Sequence, residues 1–237
     1  MSQLRKAVIL CAGYGTRLMP LTADTSKVML PVRGRPIVEH HILRLAAAGM
    51  SDLYVNLHAH AGAIQDYLGD GSRFGVRLHA AVEPSLRGTA GSLLGFRESL
   101  DETFLVQYGD VYSEIDVGMM RAFHEQNRAA ATLAAHPSSH PEDSDIVEFD
   151  CRGRISALHH KPGSRVFGAT GNAGCYILEP SALEFVPERG PSDFVIDVFP
   201  AMLRRGCALF AYHTTDFLFD MGTHDRYEQL RAKLEQV

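Results

Sequence analysis

Gly13, Gly15, Thr16 and Arg17 follow at once on the apolar run AVIL at 7–10, and a turn of that make-up suits one kind of chemistry, the holding of a phosphate chain. Glycine lets backbone N–H groups come close to anionic oxygens where a Cβ would stand in the way, and an adjacent arginine adds a fixed cation. A plain tight turn would use two glycines in the same way. The signal therefore lies in the surroundings: Thr16 and Arg17 directly behind, then Pro20, Thr22 and Lys27. Two common phosphate loops are excluded. No lysine follows the last glycine, as a Walker-type loop requires, and Leu18 stands where the dinucleotide pattern needs its third glycine.

Two carboxylates are placed for a metal. Asp110 closes the strand-like FLVQYGD, and Asp220 follows FLF in FDMGT. Either alone would serve as a turn or capping residue. Together, at the ends of apolar strands, they make a site for Mg²⁺, which takes one or two carboxylates and fills the rest of its shell with phosphate oxygens and water. The histidine pairs His40-His41, His58 with His60, His136 with His140 and His159-His160 lack the spacing of a helical metal site and read as satisfied or solvated imidazoles. Cys11, Cys151, Cys175 and Cys207 lie far apart without a C-x-x-C pair, which fits reduced thiols, Cys11 and Cys175 being core residues.

These residues need a scaffold, and the hydrophobic pattern supplies one. Through the first half, strand-like runs (KAVIL, DLYVNL, VRLHAAV, TFLVQYGD) alternate with helical segments at 36–48, 61–68, 90–99 and 116–127. The second half is richer in strands: ATLAAH, DIVEFD and RISALHH with a turn at DCRG, then GNAGCYILEP, LFAYHT and DFLFDM. Helices are expected at 181–186, 193–204 and 223–235, the last capped by Thr223. The pattern is that of a Rossmann-like α/β protein, in which ligands sit beyond the carboxyl ends of the strands. With 237 residues, 46% of them hydrophobic, the chain can bury a sizeable core. Its net charge of −5 speaks against a nucleic-acid surface. No apolar run approaches the ~20 residues of a membrane span, and no signal-peptide core follows Lys6, so a cytoplasmic protein is expected.

Seven stretches in order, GYGTRLMPLT, KVMLPVRGRPIVEH, EPSLRGTAGSL, VQYGDVY, HKPG, GNAGCYILEP and FDMGTHDRY, resemble the sugar-1-phosphate nucleotidyltransferases over nearly the whole chain. The resemblance implies a three-layer α/β sandwich with a central mixed sheet and a smaller β-rich sugar-binding part. It also implies one domain over 1–237, with a nucleotide-binding half at 1–127 and a sugar-binding half at 128–237. The implied reaction joins an NTP and a sugar 1-phosphate into an NDP-sugar and pyrophosphate with Mg²⁺. Arg17, Lys27 and Asp110 would be catalytic. Leu10, Ala12, Gly13, Gly15, Thr16, Glu83, Gly88 and Thr89 would bind the nucleotide, Gly88 giving the base room. Lys161, Asn172 and Glu179 would bind the sugar phosphate, and Asp110 and Asp220 the metal.

Two positions depart from the family pattern: Val28 stands where a proline commonly follows the lysine, and His160 where a glutamate commonly precedes Lys161. The segments HPSSHPEDSDIVEFD and PSDFVIDVFP look most like the branch that uses GTP with mannose or D-glycero-D-manno-heptose 1-phosphate. UTP or dTTP with glucose 1-phosphate or a related sugar phosphate is the alternative, and relatives acting on N-acetylmuramic acid phosphate or on phosphocholine with CTP share the same signature. A non-catalytic nucleotide-sugar-binding subunit would be expected to lack one of Arg17, Lys27, Asp110 or Asp220, and all four are present. With a single helix closing the chain, a monomer or homodimer is expected.

Overall fold

Five residues, Lys6–Leu10, all but one of them buried, form the first strand of a parallel set in the computed structural model, which describes residues 4–165 and 167–235. The model divides into two compact units, one of Arg5–Leu86, Gln107–Glu114 and the chain from Phe217 onward, the other of Leu4, Arg87–Val106 and Ile115–Asp216.

In the first of these units Lys6–Leu10 pairs in parallel with Asp52–Leu57, which pairs in parallel with Arg77–Val82. Parallel neighbours need a crossover, and helices Ile37–Ala47 and Ala61–Leu68 provide it. The former buries Ile37, Val38, His41, Ile42 and Leu45, one helical stripe, and ends beside Gly49 in the left-handed region at φ 91°. A two-residue hairpin joins Pro31–Val32 to Arg35–Pro36 through Arg33 and Gly34, both at positive φ as a type I′ turn requires. The final helix, His224–Glu235, buries Tyr227, Leu230 and Leu234 and docks on that hairpin: Tyr227 Oη donates to the Pro31 carbonyl at 2.8 Å, and Arg33 Nε to that of Leu234 at 2.9 Å.

The second unit is built around Ala131–Pro137, which pairs antiparallel with Thr170–Leu178 and parallel with Leu209–His213. A bulge interrupts the first pairing between Asn172 and Tyr176. Ile146–Phe149 and Ile155–His159 form a hairpin whose turn carries Gly153 at φ 81°. Helix Val117–Asn127 is capped by Asp116, whose carboxylate accepts from the Met119 N–H at 2.9 Å. Tyr176, Phe194 and Phe199, all fully buried, centre the core with ring centroids 5.1 to 5.3 Å apart.

Three expected helices differ. Residues 90–99 split into a short α-helical turn, Gly88–Gly91, and a 3₁₀ run, Ser92–Ser99, in a stretch where Gly91, Ser92 and Gly95 weaken α-helix propensity. Pro180–Phe185 is also 3₁₀. Within 193–204 a wide π-type turn, Phe194–Val198, precedes helix Phe199–Arg204, because Pro200 has no N–H for the Ile196 carbonyl. Among the described residues no helix is long and apolar enough to cross a membrane.

Candidate active site

Leu10, at the carboxyl end of the first strand, accepts from the Gly109 N–H through its carbonyl at 3.0 Å. The chain then leaves the sheet, and its departure is pinned: the Cys11 N–H donates to Asn56 Oδ1 at 2.8 Å, while Asn56 Nδ2 donates to Glu83 Oε1 at 2.9 Å. Glu83 is buried, so its carboxylate orients Asn56 from within the unit. Burial pushes the Cys11 thiol up to about 12, which keeps it a neutral core group beneath the loop. Beyond Ala12, Gly15 takes the left-handed region at φ 63°, and a Cβ there would come within 3.1 Å of Thr22 Cγ2. Thr22 Oγ1 donates to the Gly15 carbonyl at 2.9 Å and closes the turn over Thr16–Leu18.

Lys27 is not a solvated loop cation. It opens a 3₁₀ turn, Lys27–Met29, whose Val28 is fully buried, so apolar packing holds this segment without the proline. Its side chain passes the Gly13 backbone, and Nζ pairs with Asp110 Oδ2 at 2.5 Å. Burial works to raise the Asp110 carboxyl, but the Lys27 ammonium, with help from Arg17, outweighs it and holds the group below the usual carboxylate range.

Asp220, far from Asp110 in sequence, is brought beside it by the antiparallel pairing of Val111–Ser113 with Leu218–Asp220: Asp220 stands opposite Val111, and the Met221 N–H donates to the Asp110 carbonyl at 3.1 Å. The Asp220 carboxylate accepts from the Gly222 N–H at 2.8 Å and from Arg226 Nη1 at 2.6 Å. Exposed Arg17 reaches the same place, its Nη2 lying 3.1 Å from where a Gly222 Cβ would be. The strand ladder and the loop thus gather Gly13, Gly15, Arg17, Lys27, Asp110 and Asp220 in one unit. Arg226 joins them, unforeseen from the sequence. Its only signal was a basic residue in the first turn of a helix that begins just after Asp220.

The donor set suits a hard divalent ion. Asp110 and Asp220 offer carboxylate oxygens on adjacent backbone positions, which is as much protein as Mg²⁺ usually takes when phosphate is present. Among the described residues no group of three or more His, Cys, Asp and Glu forms a closed metal cage.

The other unit holds the remaining sequence-derived residues. Gly88, at φ 77°, has no space for a side chain: a Cβ would lie 2.3 Å from the Ser192 carbonyl, which accepts from the Ala90 N–H at 3.0 Å. Thr89 Oγ1 donates to Asp193 Oδ2 at 2.7 Å. Lys161 has φ 38° and faces Asp143 at 3.8 Å. Asn172 is tied to Tyr176 Oη at 2.6 Å. Glu179 follows the far end of the strand on which Asn172 sits: its N–H donates to the Ala130 carbonyl while Asn172 stands opposite Ala135, a separation along the neighbouring strand of roughly 16 Å at ~3.3 Å per residue. Its carboxylate accepts from Thr103 Oγ1 at 2.8 Å and lies 3.1 Å from His124 Nε2, beside a cavity of about 600 Å³. The structure therefore does not bring Glu179 to Asn172.

Fold and site together define a Rossmann-like α/β protein with a glycine loop at the end of its first strand. A family model described as nucleotidyl transferase matches residues 6–237, and the chain belongs to that family. It is 32% identical over 234 residues to the mannose-1-phosphate guanylyltransferase of Mycobacterium tuberculosis, covering 96% of this chain and 64% of that protein. To the UTP–glucose-1-phosphate uridylyltransferase of Synechocystis it is 29% identical over 247 residues, covering 98% and 64%. The chain thus spans under two thirds of the length of these curated relatives. Among solved structures, a putative glucose-1-phosphate thymidylyltransferase from Bacillus anthracis in complex with sucrose superposes with a TM-score of 0.90 at 22% identity, covering 98% of this chain and 96% of that one.

Proposed function

We propose that the protein is a sugar-1-phosphate nucleotidyltransferase that joins an NTP to a sugar 1-phosphate and releases pyrophosphate. One observation carries the reading: the first-strand glycine loop, Lys27 and Arg17 are assembled against Asp110 and Asp220 in a single unit. An oxygen of the sugar phosphate attacks the α-phosphorus, a new P–O bond forms, and the bond to the β-phosphate oxygen breaks. The nucleophile is already an anion, so no general base is needed. What is needed is positioning of two polyanions and compensation of the charge gathering on the leaving group.

The loop N–H groups and Arg17 receive the triphosphate tail. Lys27, held by Asp110 on one side, presents its remaining N–H donors to phosphate oxygens. Asp110 and Asp220 would hold Mg²⁺, which supplies Lewis-acid neutralisation of phosphate charge when bound. In the second unit Lys161 and Asn172 take the sugar phosphate. Glu179 is left out by its distance from Asn172.

GTP with mannose 1-phosphate or D-glycero-D-manno-heptose 1-phosphate is the preferred substrate pair, supported by the segments HPSSHPEDSDIVEFD and PSDFVIDVFP and by the mycobacterial relative. UTP with glucose 1-phosphate is the second reading, on the strength of the Synechocystis relative. Pyrophosphate release over a panel of NTPs and sugar 1-phosphates tests both. Turnover with GTP and a manno-configured sugar phosphate is expected, and no release with any pair would overturn the assignment. Gly15→Ala tests the loop. An L-residue in the left-handed region costs ~1–2 kcal/mol, so KM for the NTP should rise about tenfold, with kcat less affected. An unchanged KM would remove the loop from nucleotide binding.

A further inference from the structure

Sugar rings are recognised through neighbouring hydroxyl donors, and the group that accepts two of them at once is a carboxylate held in place with a free edge. Among the described residues of the second unit, Asp145 has that setting beside Lys161 and Asn172. Its carbonyl accepts from the Asn172 N–H at 2.7 Å, which ties it to the bulged strand that carries Asn172. Its Oδ1 lies 2.7 Å from His160 Nδ1, and its side chain is 21% exposed. Among the described residues no hydrogen bond is made to Oδ2.

The neighbours favour a donor-seeking group. Burial raises the Asp145 carboxyl above its ordinary range, Asp193 adds a like charge, and His160 and Lys161 only partly offset these. Such an acceptor gains from hydroxyl donors brought by a ligand. Lys161 is a non-glycine residue in the left-handed region, a conformation that persists at ligand clamps, and its single long ion pair with Asp143 leaves its ammonium available.

We propose that Asp145 grips the hydroxyls of the sugar ring, with His160 as the positioning residue that fixes its carboxylate, while Lys161 meets the sugar-linked phosphate. The family's usual glutamate before the lysine is replaced by His160, and the carboxylate comes instead from a residue distant in sequence that His160 holds. This rests on the sugar-1-phosphate reading above.

Calorimetric titration of GDP, GDP-mannose, UDP and UDP-glucose into the wild type and its variants tests it through the affinity that the sugar adds over the parent nucleotide. Asp145→Asn is expected to cut that increment about tenfold, the worth of a charged hydrogen bond, with GDP or UDP affinity unchanged. His160→Ala should do the same, and His160→Asn, whose amide replaces the Nδ1 donor, should restore most of the loss. An Asp145→Asn variant that keeps the full increment overturns the assignment of Asp145. His160→Asn behaving like His160→Ala overturns the positioning role. A wild type that binds none of the four sinks the nucleotidyltransferase reading itself, a different failure. Thermal melts of each variant keep loss of fold apart from loss of contact.

Discussion

Asp110→Asn is expected to lower kcat by about three orders of magnitude while leaving the thermal midpoint within a few degrees of wild type. The carboxylate does two things at once. It holds Lys27 at 2.5 Å, and it supplies one of the two oxygen ligands that Mg²⁺ would use. Asparagine keeps the shape and still accepts from Lys27 through its amide oxygen, so the ladder around Val111–Ser113 and the buried Val28 lose little. What disappears is the negative charge. Without it an ion would be held by Asp220 alone, and Lys27 would no longer be drawn to one place. In the proposed reaction both losses would fall on the transition state, where charge shifts toward the leaving pyrophosphate. Steady-state rates with saturating substrates, read with a melting curve, decide the matter. A variant of wild-type kcat would place Asp110 outside the reacting centre. A variant that unfolds at a much lower temperature would make it a structural residue.

The βα half of the fold was legible where its strands are apolar, as in Lys6–Leu10 and Phe104–Tyr108, and where a helix carries one clear stripe, as in Ile37–Ala47; the glycine-rich stretch at 90–99 lacks such a stripe and takes 3₁₀ turns instead. Gly49 marks the end of helix Ile37–Ala47 for a local reason, a residue free to take the left-handed region. The loop at 13–17 and the acidic ends of two strands were visible for a similar reason: polar, glycine-rich chemistry directly after a buried strand stands out. What sequence could not show is partnership at a distance. Nothing in the order of residues says that Asn56 and Glu83 pin the Cys11 N–H, or that the carbonyl of Ser192 fills the place beside Gly88. Arg226 escaped notice because helix-forming arginines are common and only the ladder at 218–220 puts Asp220 beside it. Glu179 is a different case. Reading GNAGCYILEP as one strand already implied that its two ends lie far apart, and the motif resemblance masked that geometric consequence.

Helix Ile37–Ala47 contains a histidine on its apolar stripe, and His41 makes the protein sensitive to acid. The imidazole is 1% exposed, and burial, followed by repulsion from Arg44 and a smaller one from His40, pushes it down to about 3, against weaker opposition from the Gly109 carbonyl and Asp110. The unfolded chain takes up a proton at this residue as the pH drops through about 6.5, while the folded chain refuses one until about 3. The stability tied to the neutral ring is thus fully present above 6.5 and is lost as pH falls, by about 3 kcal/mol between pH 7 and pH 4. His136, lowered mainly by its own burial, adds to the slope in the same window. Asp52, held at about 2 chiefly by its bond to Arg77, gives up its share only below the ordinary carboxylate range. A variant can therefore isolate His41. His41→Leu keeps the volume and suits the apolar site, so its stability at pH 7 should stay within ~1.5 kcal/mol of wild type. Urea unfolding at pH 7 and pH 4 should then show the variant losing about 3 kcal/mol less than wild type over that interval. Parallel losses in the two proteins would mean that the ring finds a proton-accepting partner in the fold and is not held neutral by burial.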